Sequence, residues 1–243
     1  MKYRAEIDGL RALAVISVVI FHFSPIILPS GFLGVDIFFV ISGFLITNQL
    51  IRFDRKNNFQ NLKQFYIRRI KRLLPALFIF FLITTLVLSF FLLKYDFLKY
   101  FSSLLSAKTF WANFYFWQDG GYFGGANDLK PLLHTWSLSV EEQFYLFYPS
   151  LILSFICLYN KFKIKVVYLV AIITILSFLA WIFLHSIGGA NPAFFLLPTR
   201  IWQFGLGGFV ALLSLKYLLK NKIYKELFLF VSIFAITIPL YLQ

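Results

Sequence analysis

Arg11 and His22 are separated by ten residues of the apolar stretch GLRALAVISVVIFHF, and neither side chain belongs in lipid. At about 100° per residue, the eleven steps between them bring the second side chain back to within about 20° of the first. One helix face therefore carries both. At 1.5 Å per residue they stand about 16 Å apart along the axis, near half of a hydrocarbon core of about 30 Å. Such a pair can bracket a long substrate.

Three further sets of ionisable residues interrupt apolar sequence. In HTWSLSVEEQFYLFYP, a helix beginning near His134 aligns His134, Ser137, Glu141 and Tyr145 on one stripe and turns Glu142 about 100° away. A charge at the centre of a membrane helix costs about 2.5–3.5 kcal/mol, so Glu141 is expected to face a cavity or a partner. The plainer reading is an acid favoured by the dipole of an interfacial helix start. Asp36, in GFLGVDIFFVISGFLIT, is open to the same two readings: a first-turn acid, or the partner that orients or charges His22. In FYIRRIKRLLPAL, Arg68, Arg69 and Arg72 recur at helical spacings of three and four, so their guanidinium groups are expected to converge on one ligand. Forked donors suit phosphate oxygens, which points to a polyphosphate at the cytoplasmic mouth rather than to topology or anionic lipid alone. His185 has no such company and reads as an interfacial residue.

The elements that must position these groups follow from composition. With 60% hydrophobic residues, 14% charge and a mean hydropathy of +0.80, the chain cannot hide its apolar surface in one soluble domain of 243 residues. It is an integral membrane protein. Aromatic residues make up 21% of it, with 33 Phe, and Trp111, Trp117, Trp136, Trp181 and Trp202 fall near segment ends as interfacial anchors. Spans are expected at about 9–25, 35–51, 73–93, 135–158, 166–187, 199–215 and 227–242. With the N-terminus inside, most cations fall on one side, including Arg52, Lys63, Arg68, Arg69, Lys71, Arg72 and the later lysine runs. Lys94, Lys99, Lys108 and Lys130 lie outside, nearly balanced by Asp96, Asp119 and Asp128. The net charge of +13 thus marks a cytoplasmic face, and no nucleic-acid partner is expected.

The basic start followed by an apolar run lacks a small-residue cleavage site and reads as a retained first helix. Cys157, the only cysteine, excludes an intramolecular disulfide and a thiolate metal cluster. It is expected as a packed thiol, and no metal is expected. The segment from about 94 to 134, containing TFWANFYFWQDGGYFGG, suits an interfacial or re-entrant helix, with Gly120, Gly121, Gly124 and Gly125 supplying the turn.

Taken in order, YRAEIDGLRALAVISVVIFHF, GFLGVDIFFVISGFLIT, FYIRRIKRLLPA and HTWSLSVEEQFYLFYP resemble the membrane-integral acyltransferase type 3 family. That family includes bacterial O-acetylases of O-antigen, peptidoglycan and other exported glycans. The resemblance covers about residues 3–149, and PTRIWQFGLGGFVA extends it to about 211. It implies an all-α, polytopic bundle of about ten spans, of which seven are read here. The chain is accordingly expected to be one C-terminally incomplete acyltransferase domain over 1–243 with no soluble domain.

By resemblance, His22 is catalytic, and Asp36 and Glu141 assist it. Arg68, Arg69 and Arg72 match the basic motif associated with the acyl donor, joined by Arg11. Trp136 and Ser137 fall on recurring positions, and Arg200 opens the last motif. There the chain departs from the family: Gln203 stands where an acid usually follows, which leaves a hydrogen-bonding role in place of a carboxylate one.

The activity so implied moves an acyl group, acetyl in the first instance, from cytoplasmic acyl-coenzyme A to a hydroxyl of a cell-surface or exported glycan. Coenzyme A is a co-substrate here; no permanently bound cofactor is expected, and membrane lipid and the glycan acceptor complete the partners. The setting is the bacterial cytoplasmic membrane, crossed several times with the N-terminus inside. His22 would take the acceptor proton, or His22 or Ser137 would carry the acyl group covalently. The rival reading is a proton-coupled transporter or lipid flippase with His22, Asp36, Glu141 and Arg200 as its relay.

Overall fold

The computed structural model describes residues 5–53, 58–120, 130–162 and 166–212. Among them there is no strand. The helices are α1 (Ala5–Phe23), α2 (Gly34–Leu50), α3 (Asn58–Phe91), α4 (Lys94–Lys108), α5 (Ala112–Gln118), α6 (Thr135–Phe162), α7 (Val166–Ser186), α8 (Ala190–Phe195) and α9 (Ile201–Leu212), with 3-10 turns at Gly31–Leu33 and Leu197–Thr199. Three stretches, Gly31–Leu50, Phe59–Phe91 and Val166–Ser186, are long and apolar enough to cross a membrane. The spans expected at 9–25, 135–158 and 199–215 coincide with α1, α6 and α9, which do not join those three; α9 has only 12 residues. The span expected at 227–242, the end of 199–215, Gly121, Gly124, Gly125 and the side chain of Cys157 lie outside the described residues.

The chain divides into two compact units. The first comprises Met1–Asn48, Lys165–Leu176 and Ile201–Gln243. Its helices approach backbone to backbone because glycines stand at the crossings. A Cβ at Gly31 would strike the Ser17 carbonyl and the Phe21 side chain, and one at Gly34 the Ala14 carbonyl and Val18. The turn before α2 therefore lies directly on α1, whose Ala14 is fully buried. Gly43 of α2 lies against the Phe204 backbone of α9, and Gly207 of α9 lies against Val40 and Phe44 of α2. Phe39 stacks on Phe204 at 4.6 Å beside this crossing. On another side of α9, Gly205 meets the Thr174 side chain. Small residues permit this closeness where lipid supplies no hydrophobic drive between helices.

The second unit comprises Gln49–Ile164 and Ser177–Arg200. Its spine is α3, 34 residues and about 51 Å long. The helix begins well before the expected span at 73–93, because the arginine-bearing segment continues the apolar stripe of Leu62, Phe65, Tyr66 and Leu73 without a break. Toward the far end of α3, the hydroxyls of Thr85 and Tyr100 lie 2.8 Å apart. Nearer its start, Tyr66 donates to the carbonyls of Tyr145 (3.2 Å) and Leu146 (3.0 Å). From Tyr100 the chain travels back along α3 until Phe110 shares a small cavity with Ile70, Leu73 and Leu74. The described part of the segment expected as an interfacial or re-entrant helix is thus two helices, α4 and α5, that run back along α3, and Gly120 after them adopts φ +90°.

Phe110 itself adopts φ +57°, a conformation that costs a bulky side chain about 1–3 kcal/mol. Gln143 holds it there by donating to its carbonyl at 2.8 Å. The same amide donates to Asn113 Oδ1 at 2.9 Å, and Asn113, fully buried, donates to the Phe195 carbonyl at 3.2 Å. One amide pair thereby ties α5, α6 and α8 together. On the outer side of α5, burial and then the nearby Asp119 raise the Tyr115 phenol above its ordinary range, so it stays a donor to the Lys99 carbonyl.

Candidate active site

In the first unit, α1 runs unbroken from Ala5 to Phe23, so the shared face of Arg11 and His22 read from their spacing stands. His22 is exposed, and its Nδ1 lies 2.7 Å from the Val18 carbonyl. A carbonyl oxygen can only accept, so Nδ1 carries the hydrogen and, in the neutral ring, Nε2 keeps its lone pair. The helix thereby fixes the tautomer that a general base requires. Arg11 is half-buried, and its Nε is buried without a hydrogen-bond partner. Asp36 occupies the first turn of α2, directly after the Gly31–Gly34 turn that rests on α1.

In the second unit, the three arginines do not converge. Arg69 faces α6, where its Nε and Nη2 lie 2.8 Å and 2.7 Å from Glu142 Oε1. Its guanidinium sits 3.2 Å above the Tyr145 ring, and Glu141 Oε1 is 3.8 Å from Nη2. Glu141 in turn accepts the Tyr145 hydroxyl at 2.7 Å, as the expected stripe requires. Arg68 and Arg72 are exposed, about 40° apart on one flank of α3. The physical reason is angular: Arg69 lies about 100° from Arg68 and about 60° from Arg72, which turns it toward the packed face while its neighbours stay outside. The carboxylate that engages the arginine most closely is Glu142, the one turned away from the stripe of Glu141 and Tyr145.

Trp136 and Arg200 are brought together. Trp136 is 3% exposed, a core residue rather than an interfacial anchor, with its ring 4.6 Å from that of Phe194. Arg200, 6% exposed, donates from Nε to the Phe194 carbonyl at 2.7 Å and lies 4.7 Å from the Phe194 ring and 5.8 Å from that of Trp136. Ser137 donates to the His134 carbonyl at 3.2 Å, within its own turn. A cavity of about 250 Å³ beside the Arg69–Glu142 pair is lined by Tyr66, Phe110, Trp111, Gln143 and Phe147. Its Tyr66 hydroxyl and Gln143 amide are engaged by neighbouring groups, so its walls are chiefly aromatic.

Sequence reasoning did not single out Tyr66, Phe110, Asn113 or Gln143. A signal existed for Asn113 and Gln143, carboxamides set among apolar residues, which are buried only when paired. None existed for Phe110, whose backbone conformation is imposed from outside its segment.

The acyltransferase-domain family of type 3 matches residues 4–243, and the chain belongs to that family. It is 36% identical over 228 residues to SAS0844 of Staphylococcus aureus strain MSSA476, named as a candidate O-acetyltransferase, covering 91% of this chain and 36% of that protein. It is also 36% identical over 241 residues to the O-acetyltransferase OatA of Staphylococcus aureus strain NCTC 8325, covering 97% of this chain and 39% of the relative. The chain thus spans less than two fifths of the length of the curated relatives it matches. No solved structure matches it.

Proposed function

We propose that the chain carries the acyl-transfer function of its family, moving an acetyl group from acetyl-coenzyme A to a hydroxyl of an exported or cell-surface glycan. The observation that carries this reading is the His22 ring on the Arg11 face of α1: its Nδ1–H is donated to the Val18 carbonyl, which makes Nε2 the basic nitrogen of the neutral ring. As the acceptor hydroxyl attacks the thioester carbonyl, its proton passes to Nε2 and the coenzyme A thiolate leaves, taking a proton in turn. General-base assistance of this kind contributes about 10²–10⁴ in rate. The family resemblance gives Asp36 and Glu141 a part in assisting this proton transfer, and Trp136, Ser137 and Arg200 a part in binding substrate. Arg68 and Arg72, exposed and unencumbered by Glu142, hold the donor's phosphates, while Arg69 secures the helix that presents them. Arg11 adds a further cation on the His22 face.

In this reading the protein crosses the cytoplasmic membrane of a bacterium about seven times with its N-terminus inside, as the one-sided distribution of lysine and arginine supports. The test is acetyl transfer in proteoliposomes supplied with acetyl-coenzyme A and a glycan acceptor. Free thiol should appear together with acetylated glycan. Movement of solute or protons with no thiol release would instead identify the relay of a transporter.

A further inference from the structure

The cavity of about 250 Å³ in the second unit has no part in the acyl transfer described above. A smaller cavity of about 60 Å³ adjoins it, since Tyr66, Phe110 and Glu142 stand in the walls of both, and Arg69 and Leu73 complete the smaller one. The level of the two in the membrane follows from α3. Arg68, Lys71 and Arg72 are exposed beside Arg69, and exposed charge is too costly to keep in hydrocarbon, so this part of α3 lies among lipid headgroups. The next turns expose Phe78, Ile79 and Leu82, which suit acyl chains. The cavities thus sit where headgroup gives way to chain.

Their mouth is apolar and open: Trp111 and Phe147, in the wall of the larger cavity, are 57% and 62% exposed. Inside, the Arg69–Glu142 pair is only partly used. Arg69 Nε and Nη2 both bond Glu142 Oε1, and no described residue bonds Glu142 Oε2 or Arg69 Nη1. A guanidinium edge donates to phosphate oxygens, and a carboxylate oxygen accepts from an ammonium. An acid and a base with one free edge each are the complement of a zwitterion, because Glu142 repels a ligand that is only anionic and Arg69 one that is only cationic. The ring faces of Tyr66, Phe110 and Trp111 add to the attraction for an ammonium.

We propose that these cavities bind one phospholipid with a zwitterionic, primary-amine headgroup, of which phosphatidylethanolamine is the simplest. Its ammonium donates to Glu142 Oε2, its phosphate accepts from the free edge of Arg69, and its acyl chains leave over Trp111 and Phe147. The inference does not depend on the acyl-transfer reading.

The test is lipid binding by the whole chain in detergent micelles, measured as displacement of a fluorescent phosphatidylethanolamine. The competitors are phosphatidylethanolamine, phosphatidylcholine and phosphatidylglycerol of identical acyl chains, and water-soluble O-phosphoethanolamine. Phosphatidylethanolamine should bind about tenfold more tightly than phosphatidylglycerol, which lacks the ammonium, and more tightly than phosphatidylcholine, whose quaternary ammonium has no N–H to donate. Glu142→Gln still accepts from Arg69 but lacks the carboxylate charge, and should cut the preference over phosphatidylglycerol to about twofold or less. Where that variant fails to fold, as its melting temperature shows, Trp111→Ala and Phe147→Ala carry the test. Both change exposed residues, should melt as the wild type does, and should weaken phosphatidylethanolamine about three- to fivefold. Equal affinities for the three lipids, a preference that survives in folded Glu142→Gln, or undiminished binding by Trp111→Ala and Phe147→Ala overturns the proposal. So does displacement by O-phosphoethanolamine as effective as by the lipid, which would put a soluble zwitterion in the cavity.

Discussion

Asn113 in the second unit and Gln203 in the first are both almost fully buried carboxamides. Asn113 is bonded at both ends of its amide, to Gln143 and to the Phe195 carbonyl, whereas Gln203 bonds at neither. The contrast extends beyond this pair. Arg11 Nε, Ser30 Oγ and Asn48 Nδ2 in the first unit are likewise buried without partners, while no buried side-chain nitrogen or oxygen among the described residues of the second unit is left so. The first unit packs through glycines and backbone, which brings helices close but offers few side chains to pair with polar ones. The second packs through long side chains that can close on one another. Asn113, Gln143 and Arg69 in the second unit therefore bond within the fold, whereas Arg11 Nε, Ser30 Oγ, Asn48 Nδ2 and the Gln203 amide of the first do not.

The largest expected effect tests the closed network. Glu142→Ala leaves Arg69 as a half-buried charge without its principal partner and should destabilise the protein by about 1.5–3 kcal/mol, read as a lowered melting temperature in detergent. Adding Arg69→Met to that variant should restore much of the loss, because the cost lies in the stranded charge. A double variant no more stable than the single one would show that the pair is not what holds α3 to α6.

Next comes a pair of substitutions whose signs should differ. Asn113→Leu strands Gln143 and the Phe195 carbonyl and should cost about 1–3 kcal/mol, whereas Gln203→Met removes an amide that bonds to nothing and should be neutral or stabilising. Destabilisation of equal size in both would erase the distinction between the units. The smallest effect on stability belongs to Arg68→Ala and Arg72→Ala, exposed positions where a change within about 0.5 kcal/mol is expected. Their mark should be on donor binding, weakened several-fold for coenzyme A and equally for adenosine 3′,5′-bisphosphate, since both carry the phosphates.

Much of this was legible in the chain's own periodicity. The apolar runs placed α1, α2, α6 and α7 within a few residues of their ends, and eleven steps of a helix put Arg11 and His22 on one face. Spacing also linked Glu141 to Tyr145. What spacing cannot give is the partner across the fold: Glu142 rather than Glu141 engages Arg69 most closely because α6 meets α3 on that side, and Glu142 and Arg69 are 73 residues apart. The arginine trio divides for the same reason: Arg69 packs against α6, while Arg68 and Arg72 are exposed. The carboxamides Asn48 and Gln203 stood in view within apolar runs, but only coordinates could distinguish a paired buried amide from an unpaired one.

The central claim is that the imidazole of His22 performs the proton transfer, and the most direct measurement compares thiol release from acetyl-coenzyme A by the wild-type chain and by His22→Ala at matched membrane insertion and matched coenzyme A binding. The account predicts a fall of about 10²–10⁴ in rate with no change in melting temperature. Turnover at the wild-type rate in a correctly inserted His22→Ala protein would contradict it.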